Sequence, residues 1–187
     1  MTVPRGFKAN AERVALQVRD ELGVDLDVPL DICAVAPIIG ASIVRGEDLV
    51  GREPFEELES QQVGVFSAAT FHLSGRYIIV TNPLASEARR RSDIAHEMGH
   101  LFLKHELTEM REVGGVPFRT CRPDEEEQAT TFGGTLLLPR PMLLSAVRRG
   151  ITSPDALARI HNVSLQMARF RLHSTGVLKQ ASRTRYS

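Results

Sequence analysis

The chain has 187 residues, of which 42% are hydrophobic and 25% are charged, and its 23 basic residues balance its 23 acidic residues. These values are typical of one globular domain with a buried core, and they exclude a largely disordered chain. The first twenty residues hold no apolar stretch of signal-peptide length, and no window reaches the roughly 18 apolar residues of a membrane span, so a cytoplasmic protein is expected.

Two helices are predicted at the amino-terminal end. Apolar residues recur at helical spacing between residues 9 and 22, and Gly23 follows them as a typical C-terminal cap. A second, short helix is predicted over residues 29–36.

Short apolar runs bounded by turn residues predict four strands. They are ASIV at 41–44, VGVF at 63–66, TFHL at 70–73 and YIIV at 77–80. The last two are separated by Ser74-Gly75-Arg76 and are predicted to form a hairpin in a small, mostly antiparallel sheet. The acidic segment 46–60 is predicted to be an exposed loop.

A long helix is predicted from about Ser86 to about Lys104, and it contains the sequence His-Glu-Met-Gly-His at 96–100. Residues four apart lie on one face of a helix, so His96 and His100 can direct their imidazoles to a single point. A zinc ion about 2.0 to 2.1 Å from each nitrogen fits that spacing. The motif therefore predicts a zinc site, provided that a third ligand exists.

Two further residues of this motif favour a catalytic site over a coincidence of spacing. Glu97 lies one position further round the helix, where it can reach a water molecule as a general base but does not ligate the same ion. Gly99 lies inside the helix at a cost of about 1 kcal/mol relative to alanine, which indicates close packing against that turn. Cys33 and Cys121 lie far apart and outside any CxxC pattern, so histidine and carboxylate ligands are expected.

The segment 105–123 has no clear periodicity and carries Gly-Gly-Val-Pro at 114–117. It is predicted to be a mobile loop beside the metal. Either it shapes the substrate cleft or it is a disordered insertion.

A second helix, PDEEEQATTFGGTLLLP at 123–139, is predicted to supply the third ligand. Asp124 can cap this helix, with Glu127 completing an acidic capping box. Geometry alone leaves Glu125, Glu126 and Glu127 as alternatives. Glu126 shares its helix face with three small residues, which lets that face approach the first helix. Those residues are Ala129, Thr130 and Gly133.

The residues after Pro139 form a basic, helical extension. Nine basic residues against one acid give residues 139–187 a net charge of +8. Pro141, Ser153-Pro154 and Ser164 mark helix starts, and the last two of these helices resemble a helix-turn-helix. Simple packing of two helices is the commoner explanation, and the positive charge keeps DNA, repressor docking or attraction to the acidic part of the same molecule open. The boundary between residues 1–139 and 140–187 is drawn here, and both parts can form one body.

These motifs together resemble the ImmA/IrrE family of bacterial and phage metallopeptidases. The resemblance rests on HEMGH, on the preceding YIIVTNP and Arg89-Arg90-Arg91, and on EEQATTFGGTLLLP. Aligning the family pattern on Ala129, Phe132, Leu137 and Pro139 places its third ligand at Glu126. Gly133 stands where the family usually has alanine, and Thr130 where it often has asparagine.

The resemblance implies an α+β, zincin-like domain over residues 1–139, in which the zinc helix lies against a small sheet. It also implies a zinc endopeptidase that cuts a helix-turn-helix repressor, in a mobile element or a stress response. Zn²⁺ would be held by His96, His100 and Glu126, with Glu97 as the general base. Tyr77, His72 and His105 are candidates for stabilising the oxyanion, although His105 can equally complement the helix dipole.

A second class of function stays open at this stage. The same fold could dock a repressor or DNA through its basic extension without catalysis, with a metal serving only structure. The presence of Glu97 favours the enzyme, because a docking protein needs no general base.

Overall fold

The structure, a computed structural model, describes residues 3–106, 109–113 and 116–184, with side chains described over 3–106 and 121–180. The described part is α+β and mostly helical. Its elements are α1 (Phe7–Glu21), α2 (Ile32–Val35), a 3-10 helix (Ala36–Ile39), β1 (Ala41–Arg45), α3 (Glu47–Val50), α4 (Glu53–Gln61), β2 (Ala68–Leu73), β3 (Arg76–Thr81), α5 (Glu87–Leu103), β4 (Glu109–Val113), β5 (Val116–Thr120), α6 (Pro123–Leu137), α7 (Arg140–Arg148), α8 (Pro154–His161), α9 (Leu165–Thr175) and α10 (Val177–Thr184).

The main sheet is mixed, and the prediction of a mostly antiparallel sheet is wrong for it. Its strand order is β1-β3-β2, with β1 parallel and β2 antiparallel to β3. The chain between β1 and β3 contains α3, α4 and β2, and so long a connection lets β3 return in the direction of β1. The predicted hairpin is confirmed, with a two-residue turn in which Ser74 (φ 51°) and Gly75 (φ 78°) are both left-handed.

Two other predictions for this region are corrected by the structure. The acidic segment 46–60 is helical rather than a loop, because Glu53 and Glu56 favour the positive end of α4 and Phe55 is buried beneath it. Residues 63–66 form a turn rather than a strand. The Val65 amide donates to the Gln62 carbonyl at 3.1 Å, and Val63 is 84% exposed, so this run lacks the burial of a core strand.

The ends of α5 agree with the prediction. The Ser86 hydroxyl accepts from the Arg89 amide at 3.3 Å and begins the helix. Lys104 ends the helix in the left-handed conformation, at φ 55°, and its amide donates to carbonyls of the last turn. The helix lies against β2 and β3 along one side and against α6 along another.

The helices α5 and α6 approach each other closely at Gly99 and Gly133, where no side chain keeps the backbones apart. A Cβ atom on Gly99 would lie 2.6 Å from the Ala129 carbonyl oxygen, and one on Gly133 would overlap the Ala95 carbonyl. The expected close packing at Gly99 is therefore confirmed, and the small-residue face of α6 is the face that contacts α5. Backbone-to-backbone contact fixes the two helices at a separation that larger residues would prevent.

The segment 105–123 is not the predicted loop throughout. Strands β4 and β5 pair within it as a second, two-stranded antiparallel sheet, from Glu109 opposite Thr120 to Val113 opposite Val116. The glycines at 114–115 lie outside the described residues. The helix after this sheet begins at Pro123, so the predicted cap at Asp124 is wrong by two residues. Arg122 precedes α6, and its amide donates to the Glu125 carboxylate at 3.0 Å.

The four C-terminal helices pack on the same core as the rest of the chain. Ser153, Ser164 and Gly176 bound α8 and α9 as predicted. The largest fully buried side chains come from both sides of residue 139, and no helix of the described residues is long and apolar enough to cross a membrane. Those side chains are Leu30, Ile32, Ile79, Ile94, Met98, Leu136, Leu137, Leu138, Met142, Leu143, Leu157 and His161.

Part of the positive charge of the extension is paired inside the molecule. Arg171, 2% exposed, donates to Glu12 of α1 at 2.7 Å, and the Arg140 amide donates to the other oxygen of the same carboxylate at 2.7 Å. Arg149 lies 3.1 Å from Asp27 at the surface. The side chains of Arg183 and Arg185 lie outside the described residues.

Candidate metal centre

Two elements bring the predicted ligands together. His96 and His100 project from adjacent turns of α5, and Glu126 comes from the first turn of α6. Among the described residues these three form the group of side chains that could hold a metal ion. The Glu125 carboxylate instead accepts hydrogen bonds from the amide and the guanidinium of Arg122, at 3.0 and 3.2 Å.

The three candidate ligand atoms fit one small cation. His96 Nε2 lies 3.1 Å from both His100 Nε2 and Glu126 Oε2, and His100 Nε2 lies 3.6 Å from Glu126 Oε2. In a tetrahedral zinc site, neighbouring ligand atoms are about 3.3 Å apart. The observed distances between ligand atoms lie on both sides of this value. Two imidazoles and one carboxylate are also a set of ligands that zinc accepts. The residues present therefore fit a zinc ion with a position left for water.

The charges around these atoms favour a cation. Burial by itself raises the pKa of Glu126, but hydrogen bonds from His100 and His96 outweigh burial and hold this pKa well below its usual value. Burial lowers the pKa of His96, yet the hydrogen bond to Glu126 and the charge of Glu97 outweigh burial and raise it. The Glu126 carboxylate is thus ionised, and the surroundings of His96 favour positive charge, either a proton or a metal.

Glu97 lies beside this group, and a residue of the main sheet binds its carboxylate. Its Oε2 accepts a hydrogen bond of 2.6 Å from the Thr70 hydroxyl on β2, the edge strand of the main sheet. Thr70 pairs with the buried Ile79 of β3, so it occupies the sheet face turned toward α5. This contact holds the carboxylate of Glu97 beside His96, and Glu97 is not in the group of three possible ligands.

Each histidine of the group also has a polar neighbour at its other ring nitrogen. His96 Nδ1 lies 3.2 Å from the Thr130 hydroxyl, one turn after Glu126 on α6. His100 Nδ1 lies 3.0 Å from His105 Nδ1. Thr70, Thr130 and His105 therefore surround the motif, each touching one of its three polar side chains.

The remaining candidates from the sequence are a stacked pair of side chains on the hairpin and a buried cysteine. His72 stacks on Tyr77 across the hairpin, with ring centroids 4.7 Å apart, and both side chains are exposed. Cys121 is buried, and burial, with the charge of Glu126 as the next cause, raises its pKa to about 12. Its thiol is therefore neutral at physiological pH in the metal-free protein.

Sequence reasoning missed the roles of Thr70 and Thr130. The sequence places Thr130 as a small residue on the face of Glu126 and as a departure from the asparagine frequent in the family, but neither observation indicates a contact of its hydroxyl with His96. Thr70 could be placed on a strand, but the sequence carries no signal for which strand residue faces Glu97.

Comparison with known families gives one match. The family model of Peptidase_M78, described as the IrrE N-terminal-like domain, matches residues 55–173. Comparison with curated proteins and with solved structures gave no match. The matched range contains β2, β3, α5 and α6, and with them every residue of the metal group. Because this range covers more than half of the 187 residues, the chain belongs to the IrrE N-terminal-like (Peptidase_M78) family, and its function is metallopeptidase-like.

Proposed function

We propose that this protein is a zinc-dependent endopeptidase that hydrolyses a peptide bond in a helix-turn-helix transcriptional repressor. The observation that carries the peptidase part is the group of three ligand atoms 3.1 to 3.6 Å apart beside the carboxylate of Glu97. The repressor as substrate rests on the resemblance to the ImmA/IrrE family and is the finer part of the proposal.

The residues of the chain divide the chemistry among them. His96, His100 and Glu126 would hold Zn²⁺, which when bound acidifies water and polarises the scissile carbonyl. Glu97 accepts a proton from the attacking water and passes it to the nitrogen of the leaving amine. Thr70 occupies Glu97 Oε2 at 2.6 Å, which leaves Oε1 to take the proton.

The alternative function, docking without catalysis through the basic extension, has less support in the structure. Arg171 is buried on Glu12, and Arg149 pairs with Asp27, so these two cations already have partners within the chain. On α9, the side chains of Met167, Ala168 and Leu172 face the core, while Gln166, Arg169 and His173 are exposed. One exposed arginine on α9 is weak support for reading DNA with this helix, although Arg148 of α7 and Arg159 of α8 are exposed as well and leave positive charge on the surface of the extension.

The first experiment measures metal content after dialysis by elemental mass spectrometry. We expect about one zinc per chain in the wild type, in Glu97→Gln and in Glu127→Gln, and much less in Glu126→Gln. Glu127→Gln is the matched control, because it removes the neighbouring carboxylate of the same helix turn. A wild-type protein that is free of zinc and cannot be reloaded contradicts the peptidase proposal.

The second experiment tests the reaction and its substrate. The zinc-loaded protein is incubated with candidate helix-turn-helix repressors, beginning with any encoded beside its gene, and the products are identified by mass spectrometry. We expect cleavage by the wild type and by Glu127→Gln, and none by zinc-loaded Glu97→Gln. Cleavage that survives Glu97→Gln contradicts the mechanism. If the protein binds zinc but cuts none of these repressors, the result contradicts a repressor as the substrate and leaves the peptidase part of the proposal standing.

A further inference from the structure

Both histidines of the metal group point the same ring nitrogen inward. His96 Nε2 and His100 Nε2 face Glu126 Oε2, at 3.1 and 3.6 Å. Their Nδ1 atoms face away from the centre, and each meets a polar atom of another residue. A histidine that binds metal through Nε2 carries its proton on Nδ1, so Nδ1 needs an acceptor.

Thr130 supplies that acceptor for His96. Its hydroxyl oxygen lies 3.2 Å from His96 Nδ1, and its position one turn after Glu126 follows from the helical repeat of α6. One helix therefore presents a ligand and a hydrogen-bond acceptor to opposite sides of the same imidazole. The close approach of α6 to α5 at Gly99, where an added Cβ would lie 2.6 Å from the Ala129 carbonyl, makes this reach possible for a side chain as short as threonine.

His105 supplies the acceptor for His100. The left-handed turn at Lys104 (φ 55°) folds the chain back, and the His105 amide donates to the His100 carbonyl at 3.0 Å. This brings His105 Nδ1 to 3.0 Å from His100 Nδ1, with the two rings edge to face at 72°. For His100 Nδ1–H to donate here, His105 holds its own proton on Nε2.

We propose that Thr130 and His105 are positioning residues that hold His96 and His100 with Nε2 toward Glu126, and so raise the affinity of the site for zinc. The proposal rests on the proposed function, because it assumes that these three residues bind zinc. Neither positioning residue is a ligand. Their contribution is to orient each ring before the ion binds and to accept its Nδ1 proton once Nε2 binds the ion, which lowers the cost of binding.

Zinc affinity, measured by competition with a chromogenic chelator, tests the proposal without a substrate. Thr130→Val and His105→Leu remove the acceptors, and each is expected to weaken zinc binding about 10-fold to 100-fold. Thr130→Ser keeps the hydroxyl, and His105→Asn places an amide oxygen near the position of Nδ1, so both are expected to stay close to the wild-type affinity. His173→Asn, which alters an exposed histidine of α9, is the matched control and is expected to have no effect.

Thermal unfolding of the metal-free variants separates positioning from folding. If these residues act by positioning, Thr130→Val and His105→Leu should lose affinity for zinc, while their metal-free melting curves match that of the wild type. Thr130→Ser and His105→Asn should retain the affinity. If Thr130→Val is poorly folded, Thr130→Ala removes the same hydroxyl with less volume and carries the same expectation. Affinities of Thr130→Val and His105→Leu within twofold of the wild type would overturn the proposal and leave the zinc site intact. A wild type that binds no zinc would overturn the proposed function, and this proposal with it.

Discussion

His161 is a buried histidine without a hydrogen-bond partner, remote in sequence from the metal motif. It is 1% exposed, and neither ring nitrogen has a partner among the described residues. Burial, with the nearby charge of Arg19 as the next cause, lowers the pKa of His161. The folded protein therefore keeps this ring neutral at a pH where the unfolded chain, with a pKa of about 6.5, binds a proton.

The free energy of unfolding should accordingly decrease as the pH falls below about 6.5, by at most about 1.4 kcal/mol per pH unit from this group. His161→Leu removes the group and should flatten this part of the pH dependence. Urea unfolding between pH 8 and pH 5 checks the difference between the two proteins. The exposed His173→Asn should follow the wild type, and parallel curves for wild type and His161→Leu would show that His161 does not contribute.

Thr70 offers a prediction for catalysis at the same scale. Thr70→Val removes the 2.6 Å hydrogen bond to Glu97 and should lower kcat on a cleaved substrate about 10-fold, because the general base is no longer fixed. Thr70→Ser should retain most of the activity. Zinc content, measured in the same samples, should be equal in all three proteins. An unchanged kcat in Thr70→Val would show that the hydrogen bond from Thr70 does not contribute to the action of Glu97.

At the scale of elements, the close contact of α5 with α6 reverses the usual effect of replacing a helical glycine by alanine on stability. Alanine normally stabilises a helix by about 1 kcal/mol relative to glycine. Gly99→Ala should instead destabilise the protein by about 1 to 3 kcal/mol, because the added methyl meets the Ala129 carbonyl at 2.6 Å. Gly133→Ala should behave alike, against the Ala95 carbonyl.

Gly134→Ala is the matched control for these two substitutions. Its added methyl would meet side-chain atoms rather than a backbone carbonyl, namely the sulfur of Met167 at 2.8 Å and Cδ of Arg171 at 2.9 Å. Because Arg171 is buried and paired with Glu12, Gly134→Ala should also lose stability, but less than the other two, and chemical denaturation midpoints should show this order. Equal effects at all three positions would show that α5 and α6 can separate at little cost.

The elements differ in how far their own residues determine them. The bounds of α5 and the metal group were predictable, because Ser86, His96 and His100 give local signals at helical spacing. The third ligand needed the pattern of α6 as well, since three successive glutamates look alike by geometry. The pairing of β1 with β3 was not predictable, because nothing in either strand encodes a direction relative to a partner far along the chain.

The other errors have physical causes of the same kind. The acidic segment before β2 has the composition of a loop, but Glu53 and Glu56 at the positive end of α4 and the burial of Phe55 favour a helix. Residues 63–66 have strand-forming side chains but no neighbouring strand. The hairpin within 105–123 lacks the apolar alternation of a half-buried strand, so no periodicity marked it. In each case tertiary contact decided the local conformation.

At the scale of the whole molecule, a buried ion pair joins α1 to α9. Glu12 and Arg171 form an ion pair at 2.7 Å, with side chains 21% and 3% exposed. Glu12→Gln leaves a buried guanidinium without its counter-charge and should cost about 3 kcal/mol of unfolding free energy. Asp27→Asn removes the partner of Arg149 from a half-exposed pair and should cost less than about 1 kcal/mol. Denaturant titrations compare the two, and similar losses would mean that burial of the pair is unimportant.

The division of the chain at residue 139 can be tested at the same scale. The core cluster takes residues from α1 and α6 on one side of that boundary and from α7, α8, α9 and α10 on the other. A chain ending at residue 139 should therefore fail to show cooperative unfolding by circular dichroism. Cooperative unfolding of that fragment would establish residues 1–139 as an independent domain.

The carboxylate of Glu12 accepts from Arg171 across 159 positions of sequence, and from the Arg140 amide across 128. During synthesis, α1 therefore leaves the ribosome long before either of its partners exists. Its apolar face, which includes Ala11, Ala15 and Val18, contacts α6 and must wait for that helix, while Glu12 must wait for Arg140 and Arg171. The helices α5 and α6 therefore leave the ribosome before α9, and the ion pair that joins the first helix to the C-terminal helices can form only after α9 has been made.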